Sequence, residues 1–145
     1  MEYKIRPMNE HDKPEIKAMM RTFYSSDAVL TNGSEEIFDA DIEGCIGDCP
    51  FLEGYTFEDT GNILGYAMIA KSFSTEFGKS CIWIEDLYLK KDYQGYGIGS
   101  AFLRFIEESN PNSILRLEVE NDNERAVHVY KKCGFEILPY MEMKK

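Results

Sequence analysis

Between Ile82 and Glu120 the chain reads as strand, glycine turn, helix, strand. The apolar run Ile82-Trp83-Ile84-Glu85-Asp86-Leu87-Tyr88-Leu89 comes first. It leads through Gln94-Gly95-Tyr96-Gly97-Ile98-Gly99-Ser100 into an amphipathic segment carrying Phe102, Phe105 and Ile106 on one face. Ile114 to Glu120 then alternates, with Leu115, Leu117 and Val119 on one side. Two strands joined by a helix within about forty residues form a βαβ unit, whose strands must be parallel, adjacent and joined by a right-handed crossover. The rest of the chain has to be arranged around that parallel pair.

Upstream the periodicity changes sign more often. Tyr3 to Arg6 reads as a short strand. Asp12, Pro14 and Glu15 read as a helix start, with Asp12 as the capping side chain and Ile16, Met19, Met20 and Phe23 lining one face of the helix. A weaker helix is expected over Ser34 to Cys45. Three strands, Tyr55 to Glu58, Ile63 to Lys71 and Cys81 to Lys90, are separated by turn residues and should form an antiparallel meander. After the βαβ unit a last helix runs from Asn123 to Cys133 and stops at Gly134, and Phe135 to Leu138 and Tyr140 to Met143 are expected to close the sheet. The class is therefore α+β (mixed α/β), in one domain spanning residues 1–145.

Composition narrows the function. A net charge of −10 opposes binding to nucleic acid, which requires clustered Lys and Arg to displace counterions. No stretch approaches the roughly 20 apolar residues that span a bilayer, and the start lacks a secretion signal, so a cytoplasmic protein without a membrane partner is expected. Cys45 and Cys49 are half of a metal-site spacing, yet His11 and His128, the 2 histidines, lie far from them, so no metal is expected.

The glycine turn carries chemistry through its backbone. At a helix start, unpaired N–H groups and the positive end of the helix dipole converge, and glycines let an anion approach, so the volume suits a pyrophosphate. An empty tight turn is the alternative on glycines alone. The preceding strand also slips parity: Ile82 and Ile84 are even, Leu87 and Leu89 odd, which places one extra residue near Glu85 or Asp86. Uninterrupted burial on both faces would look similar.

Gln94, Gly97 and Gly99 match the Q/R-x-x-G-x-G/A loop of the GCN5-related N-acetyltransferase (GNAT) family. The strand before the loop resembles that family's fourth strand, and Asn123-x-x-Ala126-x-x-x-Tyr130-x-x-x-Gly134-Phe135 resembles its last helix and the turn after it. The resemblance covers Ile82 to Phe135. It implies a three-layer fold, a mostly antiparallel sheet whose parallel pair splays at the cofactor site, and acetyl-CoA as co-substrate. By the same resemblance, Leu87, Tyr88 and Leu89 pair with the pantetheine arm. Gln94, Gly95, Tyr96, Gly97, Ile98, Gly99 and Ser100 hold the pyrophosphate, and Asn123 contacts the cofactor.

Two side chains are assigned chemistry. An amine like that of lysine, with pKa near 10.4, costs about 4.6 kcal/mol to hold neutral at pH 7. Glu85, at the expected splay, is the base, with Asp86 in reserve and a buried structural acid as the competing reading. Tyr130 is the acid for the leaving thiolate by its match to the family motif, against a plain core aromatic. The acceptor is a primary amine on a small cationic molecule, drawn by Glu35, Glu36, Asp39, Asp41 and Glu43, with Phe23, Tyr24 and Tyr55 lining its pocket. A peptide or protein amine acceptor, a non-catalytic CoA-binding module and a homodimer stay open.

Overall fold

The computed structural model describes residues 1–145. Its strands are β1 (Lys4–Pro7), β2 (Leu52–Asp59), β3 (Asn62–Ser74), β4 (Lys79–Leu89) and β5 (Ile114–Leu117), and its helices are α1 (Lys13–Tyr24), α2 (Glu35–Ile46), α3 (Ile98–Ser109) and α4 (Glu124–Lys132). The five strands lie side by side in chain order. The first four pair antiparallel, and β4 pairs with β5 in parallel, as a strand–helix–strand unit must.

Each face of the sheet buries its own layer. Ile82 and Ile84 of β4, with Ala67 and Ile69 of β3, pack beneath Ile98, Phe102, Leu103 and Ile106 of α3. The spacing of those α3 residues, four and three to four apart, keeps them on one stripe. On the opposite face, Tyr66 and Met68 meet Ile16, Met19 and Met20 of α1 and Phe38 and Ile42 of α2. Burying such side chains contributes on the order of 1.5–3 kcal/mol each, so the two layers fix the sheet between them.

Local chemistry sets the boundaries, and some differ from expectation. Asp12 does not cap α1: Asn9 and Asp12 form a capping box around the short 3₁₀ turn Glu10–Asp12, and Asp12 accepts Arg6 Nη1 and Nη2 at 2.7 and 2.8 Å. This carboxylate is held below the ordinary range, burial being overcome by the guanidinium and by the Asn9 N–H. Strand β5 stops at Leu117, short of Glu120, because its ladder with β4 ends at the pair Ile84 and Leu117. Residues 135–138 and 140–143 form no strand. Pro139 removes a donor between them, and Ile137, Tyr140, Met141 and Met143 are exposed.

Candidate active site

The register of β3 and β4 contains one extra residue. Met68 faces Asp86 and Ile69 faces Ile84, leaving Glu85 unpaired in a bulge. The insertion explains the parity slip. Ile82 and Ile84 before it, and Leu87 and Leu89 after it, all face the α3 layer. Without it, Leu87 and Leu89 would turn toward α1. The bulge also ends the parallel ladder. Beyond Ile84, β4 keeps β3 on one side, through Leu87, Tyr88 and Leu89, while its other edge has no partner strand. Unpaired strand edges present N–H and C=O groups ready to pair with an extended ligand.

The glycine turn faces that edge. Gly97 precedes α3 in a left-handed conformation, φ +80°, and no side chain caps the helix. The first turn contains no acid, so nothing neutralises its exposed N–H groups. A Cβ on Gly97 would meet nothing within 4 Å, whereas one on Gly99 would lie 3.8 Å from Leu87 Cδ2. The helix start therefore packs directly on the open end of β4. These residues fit an elongated anionic thioester, with backbone donors at one end and an unpaired strand edge beside them.

The two adjacent acids of the bulge have different environments. Asp86 is 4% exposed and accepts Tyr24 Oη at 2.9 Å and Tyr66 Oη at 2.7 Å. Burial raises its pKa, and the two phenol hydrogen bonds oppose the rise. The buried, structurally paired acid is thus Asp86, while Glu85 is exposed. Its carboxyl is also raised, by lost hydration first and then by the charges of Asp86 and Glu142. Asp41 of α2 rises to about 6, through burial and the charges of Asp86 and Glu85. Glu118 rises to about 7 because it shares a hydrogen bond with Glu142, with burial and the charges of Glu142 and Glu85 adding to the effect. Five carboxylates thus share one electrostatic neighbourhood around the splay.

Three of the other four acids expected to create this field are held in ion pairs instead. Glu35 is paired with Arg21 and Lys17, Asp39 with Lys17 at 2.9 Å, and Glu43 with Lys13, so α1 neutralises that row of α2. Of the expected pocket aromatics, Tyr24 reaches the bulge and Phe23 packs on Tyr88 with ring centres 5.5 Å apart. Tyr55 lies on the other face, against Phe102 and Phe105. Its position follows from register: Tyr55 pairs with Ala67, which faces α3. Glu118 and Glu142 escaped sequence reasoning, since nothing local marks two acids brought together from a strand end and an irregular tail.

On α4, Asn123 caps the helix, its Oδ1 accepting the Ala126 N–H at 3.2 Å. Tyr130 is half-buried in the same apolar layer as Leu87 and Leu89, with Phe135 edge-on at 6.0 Å. Burial, then Cys133, raises its pKa, so the phenol keeps its proton at neutral pH. Its hydroxyl makes no hydrogen bond within the chain.

Comparison with known proteins gives this arrangement a family. The family model described as Acetyltransferase (GNAT) family matches residues 16–135. A relative from Sus scrofa named thialysine N-epsilon-acetyltransferase is 31% identical over 143 residues, covering 90% of this chain and 82% of the relative. One of the same name from Bos taurus is 37% identical over 83 residues, 55% of this chain and 48% of that relative, so that match spans about half of the bovine protein. A solved structure of AAC(6')-Iy in complex with the bisubstrate analogue CoA-S-monomethyl-acetylneamine superposes with TM-score 0.82 at 12% identity, over 100% of this chain and 98% of that one, which bears on the fold alone. With the splayed strand, the glycine turn and the last helix all in place, the chain belongs to the GNAT acetyltransferase family.

Proposed function

We propose that the protein transfers the acetyl group of acetyl-CoA to a primary amine on a small cationic molecule, by direct attack of the amine on the thioester. The observation that carries this reading is the bulge at Glu85. It frees one edge of β4 at Leu87–Leu89 beside an uncapped helix start, and it places a carboxylate at the same kink. The unpaired edge at Leu87, Tyr88 and Leu89 holds the pantetheine arm, and the amides of Gly95 to Ser100 hold the pyrophosphate. Asn123 keeps α4, and with it Tyr130, against this channel.

In this reading Glu85 accepts the proton of the attacking ammonium, directly or through water, and its raised pKa brings its basicity closer to the amine's. The amine nitrogen then bonds to the thioester carbon, the C–S bond breaks, and Tyr130 gives its phenolic proton to the departing thiolate. The proton that the nitrogen sheds as the amide forms returns to the phenolate through water. Tyr130 suits the task because its hydroxyl is otherwise unengaged and protonated. Asp86 is tied to Tyr24 and Tyr66 and keeps the bulge in place without handling a proton. A cationic acceptor fits the carboxylates Asp41, Glu85, Glu118 and Glu142, and relatives named for a lysine analogue support the same class. An acceptor screen that reads thiol release from acetyl-CoA over lysine analogues, polyamines, aminoglycosides and short peptides tests the reading. Turnover should concentrate on the small cations. Turnover confined to peptides, or to neutral acceptors, would refute the assignment.

A further inference from the structure

The glycine turn has backbone donors but no cation of its own. Position 94, where the family motif allows arginine or glutamine, is occupied by neutral Gln94. A pyrophosphate carries about two negative charges, and a helix start contributes only about half a positive one. The structure brings a guanidinium to the turn from another element. Arg125, the second residue of α4, donates through Nη1 to Gln94 Oε1 at 3.5 Å, and its Nη2 lies 3.5 Å from where a Cβ on Gly95 would stand. It forms no ion pair with any acid of this chain and is exposed. Gln94 is held in turn, its Nε2 donating to the Leu89 carbonyl at 3.0 Å. One side chain therefore connects the end of the open strand to a free cation beside the glycines.

We propose that Arg125 is the charge of the pyrophosphate site and that Gln94 is its bracket, a positioning residue that aims the guanidinium rather than the phosphate's own partner. This rests on the reading of the turn as the acetyl-CoA phosphate site. Guanidinium geometry suits it, since two N–H groups can engage two phosphate oxygens at once. The placement also ties the donor to catalysis. Arg125 and Tyr130 share α4, so phosphate held by one fixes the helix that carries the other.

The test compares two donors in the wild-type protein and in Arg125→Gln: acetyl-CoA, and S-acetylpantetheine, which has the thioester and arm but no pyrophosphate. For acetyl-CoA, Arg125→Gln should raise Kd about fivefold, the upper scale of one charge-assisted contact at an exposed site. With S-acetylpantetheine, kcat/KM should not fall with it. Equal loss on both donors would make Arg125 a structural residue and overturn the proposal, as would an acetyl-CoA Kd within twofold of wild type. A wild-type protein that binds no acetyl-CoA would instead refute the underlying reading of the site.

Discussion

The two sides of the bulge are built by different means. On the α3 side, the donor site we propose is mostly backbone: an unpaired strand edge and the N–H groups of a helix start, both within one stretch from Leu87 to Ser100, with Arg125 of α4 as the one charged side chain added to it. On the α1 side, the acceptor surroundings we propose are side chains from α1, α2, β4, the end of β5 and the C-terminal tail, joined only by the fold. Backbone recognition needs glycines and a parity slip, which local sequence shows. Side-chain recognition assembled over long range does not.

Removing the phenol without disturbing packing should have the largest effect on the donor side. Tyr130→Phe is expected to lower kcat by about 10²- to 10⁴-fold while acetyl-CoA Kd stays unchanged, measured by steady-state kinetics and calorimetry. Turnover within twofold of wild type would show that Tyr130 is only a core residue. Filling the turn comes next. At Gly97, φ +80° strains most side chains, and asparagine tolerates it best, with open space around the new Cβ. Gly97→Asn should weaken acetyl-CoA binding at least about tenfold, with the cooperative melt retained. Unimpaired binding would place the phosphates elsewhere.

On the acceptor side the effects should be smaller and electrostatic. Raising salt from about 0.1 to 1 M shortens the Debye length from about 10 to 3 Å, so KM for a cationic acceptor should rise several-fold. A KM indifferent to salt would reduce the carboxylate neighbourhood to a solvated surface. The smallest effect concerns stability. Carboxyls with folded pKa above their unfolded value bind more protons in the native state, and the stability they add is present at low pH and lost as pH rises through the folded value. Asp41 at about 6 and Glu118 at about 7, against unfolded values of about 4, set that window between about pH 4 and 7. Tm should therefore decline across it, and Glu142→Gln should flatten the decline by removing the partner of Glu118. An unchanged slope in the variant would separate Glu142 from the cluster.

Particular residues show why legibility stopped where it did. The parallel pair followed from the strand–helix–strand order, and the bulge from the parity of Ile82, Ile84, Leu87 and Leu89, because a face must stay apolar through the kink. The stop at Gly134 is a local rule of helix ends, whereas Asn123, expected against the cofactor, is seen in the structure as the cap of α4. Tyr55 went to the wrong layer because strand register, not residue type, decides a face. The tail was expected as strand from its apolar residues alone, yet a strand also needs a partner edge, and β5 ends too early to offer a long one. Glu35, Asp39 and Glu43 of α2 looked free because their partners Lys13, Lys17 and Arg21 lie on another helix.

In the proposed mechanism donor binding is centred on the unpaired edge of β4, and amide hydrogen exchange with and without acetyl-CoA probes that edge residue by residue. Saturating acetyl-CoA should slow exchange at Leu87 to Leu89 and at Ile98 to Ser100, while Ile82 to Ile84, already laddered on both sides, should stay unchanged. Exchange at Leu87 to Leu89 that does not respond to bound acetyl-CoA would contradict the claim that this edge receives the donor.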